Sequence, residues 1–472
     1  MLETTPLYHR LADHIQELIR AGTLRAGDRV PSVRRLSHQQ RVSVSTVLQA
    51  YQRLEDIGVI EARPQSGYYV RRSNLEVREP ESSRPPRRAL KVEVNDLADA
   101  VLAHASDPDV VAFGSACAAP ELFQQERVRR VLSSLARRER EALGRYGLPP
   151  GTERLRRAVA RRALDWGCRI DHRDVVTTTG CMEAINLALR AVTRPGDLVA
   201  LESPTYYGFL QILQSLGLRA LEIPTHPRTG ISLDALELAL AEHPVKAVLV
   251  MTSVSNPIGA SMSDAAKRRL VELLAANDVP LIEDHIYAEL EFAGPPPRPA
   301  KAFDRAGGVM LCSSFSKTLS PGLKVGWMAP GRWRDAVRML KFMSSGGQNE
   351  LVELAVAELI ESSRYERSLR VLRRRFEGQV DAARGIIAES FPRGTRATRP
   401  AGAYIVWVEL PKGCDSVGLF ERLLERGITI APGPMFSASH RYRNCMRLSV
   451  GQAWDARHER ALREIGRLAQ DC

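Results

Sequence analysis

The chain has 472 residues, 44% of them hydrophobic, and its 67 basic and 55 acidic side chains leave a formal charge of +12. That length is too great for one ordinary core, so two or more globular domains are expected. No run approaches the ~18 apolar residues that crossing a bilayer requires, which excludes a membrane-spanning role. Eight of the basic residues are lysine and the other 59 are arginine, spread along the whole length. Net charge therefore does not nominate nucleic acid as a partner by itself; the placement of the charge has to. The seven cysteines show no paired spacing, so neither a disulfide framework nor a metal site is expected. The opening Met-Leu-Glu-Thr-Thr-Pro lacks a basic-then-apolar leader, and a reducing, cytoplasmic setting fits.

From Pro6 to Ile19 apolar residues recur at Leu7, Leu11, Ile15, Leu18 and Ile19, a helical period with Gly22 as its stop. Ser32 caps a second helix that carries Arg34, Arg35 and Leu36, and Val42-Ser43-Val44-Ser45 leads into a third over Thr46–Ile57, ended by Gly58. Two helices about a tight turn form a helix-turn-helix. Val59 to Arg72 then alternates and turns at Pro64-Gln65-Ser66-Gly67, as a hairpin wing does. Residues 1–75 hold 11 arginines, no lysine and 7 carboxylates, a balance of +4. Here the charge sits on the recognition elements. Arg34, Arg35, Arg53, Arg63, Arg71 and Arg72 are placed for phosphates, Ser43, Ser45 and Thr46 at the exposed start of the third helix, and Gln65 and Gly67 at the wing tip, so a double-stranded DNA operator is the expected partner.

Val30-Pro31-Ser32-Val33-Arg34 and Val42-Ser43-Val44-Ser45-Thr46-Val47 resemble the Leu-Pro-Ser-x-Arg and Val-Ser-x-x-Thr-Val motifs of the GntR family of bacterial regulators. The resemblance implies a winged helix over residues 1–72. Many relatives carry arginine after the first serine of the turn, where this chain has Val44, so their operator sequence does not carry over. Residues 73–92, including Ser82-Ser83-Arg84-Pro85-Pro86-Arg87-Arg88, lack apolar periodicity and are expected as a linker.

Beyond it, in 93–472, helical stretches alternate with short apolar strands at Val175-Val176-Thr177, Leu198-Val199-Ala200-Leu201, Ala247 to Met251 and Pro280 to Glu283. This predicts an α/β domain with a mostly parallel sheet and ligand groups at strand ends. Asp284 ends one strand, with Tyr287 three residues on. A buried carboxylate there keeps a pyridine nitrogen protonated, and a phenol bonds a ring oxygen. Asn256, in Ser255-Asn256-Pro257-Ile258-Gly259, suits the same oxygen, although Asn-Pro-x-Gly is also an ordinary turn. Gly180-Cys181-Met182 joins strand to helix and offers backbone N–H groups to a phosphate. Tyr206 follows a strand, where its ring either stacks on a cofactor or fills the core. Lys317 sits among hydroxyls in Ser313-Ser314-Phe315-Ser316-Lys317-Thr318-Leu319-Ser320-Pro321-Gly322, the company of a Schiff-base lysine whose neighbouring serines hold phosphate. Arg447 lies inside an apolar strand, where an unpaired guanidinium is costly and a substrate carboxylate would pair it.

Taken in order, these motifs resemble the fold-type I aminotransferases from about residue 110 to the end, with a smaller α+β C-terminal domain. The resemblance implies pyridoxal 5'-phosphate (PLP) bound covalently to Lys317, with Asp284 on the pyridine nitrogen, Asn256 and Tyr287 on the ring oxygen and Tyr206 stacked on the ring. Ser314, Ser316 and Gly180-Cys181-Met182 would hold the phosphate, joined by Lys324, where relatives carry arginine. Tyr146 would reach the phosphate of a neighbouring subunit, making a homodimer with shared sites, and Arg447 would take a carboxylate. A winged helix followed by such a domain is the layout of the MocR subfamily of GntR regulators. A PLP-dependent regulator sensing an amino compound or PLP is expected; the alternative is a working aminotransferase with a DNA-binding appendage.

Overall fold

The computed structural model describes residues 7–20, 23–24, 27–56, 59–63, 66–70, 77–92, 96–105 and 107–471. Three helices, α1 (Leu7–Arg20), α2 (Val33–Gln40) and α3 (Val44–Asp56), precede an antiparallel hairpin of β1 (Ile60–Arg63) and β2 (Gly67–Val70), paired Ile60 to Val70 and Arg63 to Gly67. Leu11, Ile15, Leu36, Val47, Leu54 and Val70 share a core of their own. Ser32 caps α2 by accepting from the Arg35 N–H (3.3 Å), and Arg41 closes it in the left-handed region at φ 52°. Two hydroxyls fix the helix pair: Ser43 Oγ accepts from the Thr46 N–H (3.1 Å), and the Tyr51 phenol donates to the Pro31 carbonyl (2.5 Å). Helix α3 thus begins at Val44, two residues before the expected Thr46, because the residue that caps it is Ser43. The expected stops Gly22 and Gly58 and the tip residues Pro64 and Gln65 lie outside the described residues, as do Arg71 and Arg72.

The described part of the expected linker, 77–92, is laid against the α/β domain. Val77 and Val92 are buried, Glu79 accepts from Arg228 Nε (2.5 Å) and the Arg399 N–H (3.0 Å), and Ser83 exchanges hydrogen bonds with Thr225. Strand β3 (Leu90–Lys91) adds antiparallel to the strand Arg219–His226 at the edge of the main sheet. An open edge recruits a neighbour through backbone groups, which need no side-chain pattern.

Among the described residues the main sheet has nine strands. From β3 its order is Arg219–His226, Leu198–Ser203, Val245–Val250, Leu281–Asp284, Val309–Ser314, Gly326–Ala329 and Val176–Thr178, and Gly230–Ile231 pairs off this path. The five strands from 219–226 to 309–314 run parallel; the last two are each antiparallel to their neighbour. Alternate residues feed opposite faces: Leu198 and Ala200 join one core cluster, Val199 and Leu201 the other. A second sheet orders Arg396–Ala397, Ile405–Glu409, Cys445–Ser449 and Ala431–Pro432, and Val111–Ala112 pairs parallel with Ile428–Thr429. Just beyond that pairing the carbonyls of Gly114 and Ala116 accept from Arg447 and from Lys317 and Tyr404.

Candidate PLP site and DNA-reading elements

At one end of the main sheet Thr178, Gly326 and Ser314 stand side by side in register. Gly180 (φ 84°) turns the chain into the helix Cys181–Val192. A Cβ at Gly326 would come within 2.5 Å of the Gly180 carbonyl carbon, so glycine here lets two backbones meet. The result is a cradle of bare backbone and the Ser314 hydroxyl at a helix N-terminus, the setting that favours an anion. Ser316 is half-buried and its N–H reaches Ser314 Oγ (3.4 Å). Lys324 is exposed and held at φ 51°, two residues before Gly326.

Asp284, buried at its strand's end, accepts at Oδ1 from Cys181 Sγ (3.3 Å) and the Ile286 N–H (2.9 Å). Burial pushes its carboxyl up to about 6, against those hydrogen bonds and the nearby Lys317 charge. Lys317 donates to the Ala116 carbonyl (2.7 Å), and its Nζ lies 5.8 Å from the centre of the Tyr287 ring. The Tyr404 phenol donates to the same carbonyl (3.1 Å) and sets its ring edge-on to Tyr287. Asn256 is buried, and its Oδ1 has no partner among the described residues. Tyr206 packs among Tyr207 and Phe209 with Met182 close by, and burial raises its phenol well above the ordinary value. Arg447 is fully buried. Its Nη2 donates to the Gly114 carbonyl, its guanidinium lies 5.4 Å from the Phe436 ring, and among the described residues Nε and Nη1 have no partner.

Lys317, Asp284, Cys181, Gly180, Tyr287, Tyr206 and Arg447 thus converge on one site. Tyr146 does not enter this chain's own site. It is 89% exposed beside Gly147, whose carbonyl accepts from the Gln348 N–H, while the Gln348 side chain bonds the Thr179 hydroxyl next to Gly180. Tyr404 and the Ala116 carbonyl were not singled out by the sequence. His285, next to Asp284, is a neutral core residue: it is buried against Trp166, and burial lowers its imidazole to about 3.

Glu202 lies behind the site, wholly buried, accepting from the Met251 N–H (3.0 Å), and burial raises its carboxyl to about 8. A raised carboxyl binds a proton in the folded chain that the unfolded chain has released. Its contribution is complete below the ordinary value of 4.5 and is lost as pH climbs towards 8. Glu202→Gln is therefore expected to remove this loss, gaining up to about 4 kcal/mol on the wild type between pH 5 and pH 8. Denaturation midpoints measured across that range check it, and parallel curves for the two proteins would reject it.

In the winged helix Arg34, Arg35 and Arg53 are exposed, as are Ser43 and Ser45, and Thr46 completes the start of α3. Ser43 Oγ lies 2.7 Å from both the Ser45 and the Thr46 hydroxyl, so the three form one polar cluster there. Arg63 is engaged within the wing, paired with Glu61 (2.7 Å) and lying over the Tyr69 ring. Gly67 has φ 102°, with the Arg29 side chain packed beside it; Gln65 lies outside the described residues.

Residues 7–70 match the family described as bacterial regulatory proteins, gntR family, and residues 118–465 match aminotransferase class I and II. The chain belongs to the MocR-type branch of the GntR regulators. It is 38% identical to the uncharacterized HTH-type transcriptional regulator YjiR of Escherichia coli (strain K12), over 97% of this chain and 98% of that one. With YdcR of the same organism, described in the same words, it shares 39% identity over 98% of this chain and 99% of that protein. Among solved structures it is similar to LysN, an α-aminoadipate aminotransferase from Thermus thermophilus complexed with N-(5'-phosphopyridoxyl)-L-leucine. The identity is 29% and the TM-score 0.73, over 81% of this chain and 96% of that one. The MocR-type α/β domain thus has the fold-type I architecture, whose class I and II members depend on PLP. The residues here fit that group: an unpartnered buried amide oxygen at Asn256, a buried carboxylate at Asp284, a lysine amine beside it, and a bare-backbone cradle at Gly180 and Gly326. Among the described residues no helix is long and apolar enough to cross a membrane, and no cluster of side chains suits a metal ion.

Proposed function

We propose that this chain is a PLP-dependent, DNA-binding transcription regulator whose α/β domain senses an amino compound or PLP itself, working in the cytoplasm as a homodimer. The observation that supports this is the union, in one chain, of a winged helix with exposed arginines and a second domain in which Lys317, Asp284 and the bare-backbone cradle at Gly180 and Gly326 occur together. When bound, PLP supplies a carbonyl carbon that exchanges amines and a ring that accepts electrons. Lys317 would be the attachment point, and Asp284 would hold a proton on the ring nitrogen. Asn256 and Tyr287 would bond the ring oxygen, and Tyr206 would cover the ring. Ser314, Ser316 and the Gly180-Cys181-Met182 backbone would bind phosphate, with Lys324 adding a point charge rather than the fork an arginine gives. Tyr146, turned outward beside the Gly180 loop, suits the phosphate of a second copy. The unpartnered Nε and Nη1 of Arg447 suit a carboxylate on the effector.

The same groups would serve an aminotransferase, so the α/β domain does not separate the two readings. The winged helix favours regulation, because transamination has no use for arginines facing a duplex. The full-length protein is expected to retain genomic fragments whose binding weakens steeply with salt, and the double variant Arg34→Gln, Arg53→Gln to lose them. Retention by that variant equal to the wild type would overturn the reading.

A further inference from the structure

The core of the winged helix claims one side of α3, where Val47, Ala50, Tyr51 and Leu54 are buried. The other side is exposed at Val44, Ser45, Leu48, Gln49, Gln52 and Arg53. Residues four apart lie about 40° from one another on consecutive turns, so these six form two adjacent lines. One line is polar throughout: Ser45, Gln49 and Arg53. The other opens with two aliphatic side chains, Val44 at 47% exposure and Leu48 at 43%, before it reaches Gln52. Neither aliphatic residue belongs to the domain's core or packs against it, so folding does not account for them.

Their surroundings are polar and cationic. The Ser43, Ser45 and Thr46 hydroxyls cluster at the same helix start, and Arg34, Arg35 and Arg53 are exposed. An apolar protein surface laid over the pair would strip water from those groups without partnering them. The DNA major groove offers both kinds of contact at once, phosphates along its rims and, on every thymine, a C5-methyl on its floor. Guanine is read chiefly by arginine or lysine, and α3 has neither before Arg53. Its glutamines suit adenine, the base that pairs with thymine.

We infer that Val44 and Leu48 read two thymine methyl groups in the major groove, which makes the operator half-site A·T-rich where α3 enters it. This specifies the base content of the partner, and it rests on the DNA-binding function proposed above. From Val44 to Leu48 the helix rises about 6 Å, and nucleotides along a strand advance about 3.4 Å each, so the two methyls sit about two base steps apart. Each methyl leaves water when it meets an aliphatic side chain, which is worth about fourfold in affinity.

In the test, full-length wild type recovers duplexes from a random-sequence pool. Each thymine of the recovered half-site is then replaced in turn by deoxyuridine, which keeps the pairing edge and lacks only the C5-methyl. The recovered half-sites are expected to share two thymines about two base steps apart. Deoxyuridine at either should weaken wild-type binding about fourfold, and at both about fifteenfold. Val44→Ala is expected to lose its sensitivity to one of the two replacements and Leu48→Ala to the other, the coupling that marks a direct contact. Both variants should keep the wild-type slope of log affinity against log salt, since no phosphate contact has changed. The variant Arg34→Gln, Arg53→Gln should instead weaken thymine and uracil duplexes alike. Wild-type affinity unchanged by deoxyuridine at every position would overturn the inference without recourse to any variant, as would losses that persist undiminished in both alanine variants. A changed oligomeric state in those variants, with the sensitivity to deoxyuridine intact, would overturn it in favour of a contact between copies. If the wild type enriches no sequence from the pool, the DNA-binding function itself falls.

Discussion

Lys317→Ala is expected to abolish covalent retention of PLP completely. Wild-type protein incubated with PLP and treated with borohydride should carry a stable mass increment on the peptide containing Lys317, and the variant should carry none. Eight lysines compete for that label in principle, and the structure separates them by surroundings. Lys267 and Lys341 are buried in fixed polar company, the first bonded to Ser253 and the Arg298 carbonyl, the second to Glu183. Lys301 is tied to Asp304 and the Val309 carbonyl. Lys317 stands beside Asp284 and Tyr287, with the Ala116 carbonyl as the bond to release. A label found on another lysine in the wild type, or retained in Lys317→Ala, would overturn the assignment.

How much of this was legible beforehand depended on whether a residue's chemistry or its neighbours announced it. Lys317 was singled out by its hydroxyl neighbours, Asp284 by its place at a strand end and Arg447 by a charge inside an apolar strand, while the winged helix was legible from its caps and periodicities. Helix α3 was misplaced by two residues because several hydroxyls in a row, Ser43, Ser45 and Thr46, could each have been the cap, and only geometry chooses Ser43. Tyr404 was illegible: Ala403-Tyr404-Ile405-Val406-Trp407 reads as a plain apolar strand. Its partner is a backbone carbonyl at residue 116, 288 positions away. The docking of residues 77–92 was hidden for the same reason, since edge pairing and carbonyl contacts depend on backbone placement, which composition does not encode. Tyr146 was singled out only through the resemblance: it is 89% exposed, and among the described residues nothing covers that surface.

Arg447→Ala is expected to blunt the response of DNA binding to an amino acid while sparing the response to PLP alone. A ligand shifts a conformational equilibrium only through its differential affinity for the two states, so the group that grips it hardest sets the size of the response. Arg447 is fully buried, with one nitrogen on the Gly114 carbonyl and two donors unpartnered among the described residues. A carboxylate would satisfy both. Gly114 and Ala116 bring the carbonyls of one segment to Arg447 and to Lys317, so a ligand bearing both a carboxylate and an amine would compete at both ends of that segment. Removing one member of a buried charge pair costs about 2–5 kcal/mol, which moves the effector midpoint by about 30-fold or more. The measurement titrates operator complexes of wild type and variant first with PLP, then with a panel of amino acids and their decarboxylated amines. Amino acids should act on the wild type at concentrations where the amines do not, and the variant should lose that distinction. A response to PLP alone, indifferent to amino acids and to the arginine, would instead make the domain a vitamin B6 sensor, because then the only ligand with differential affinity is the cofactor itself.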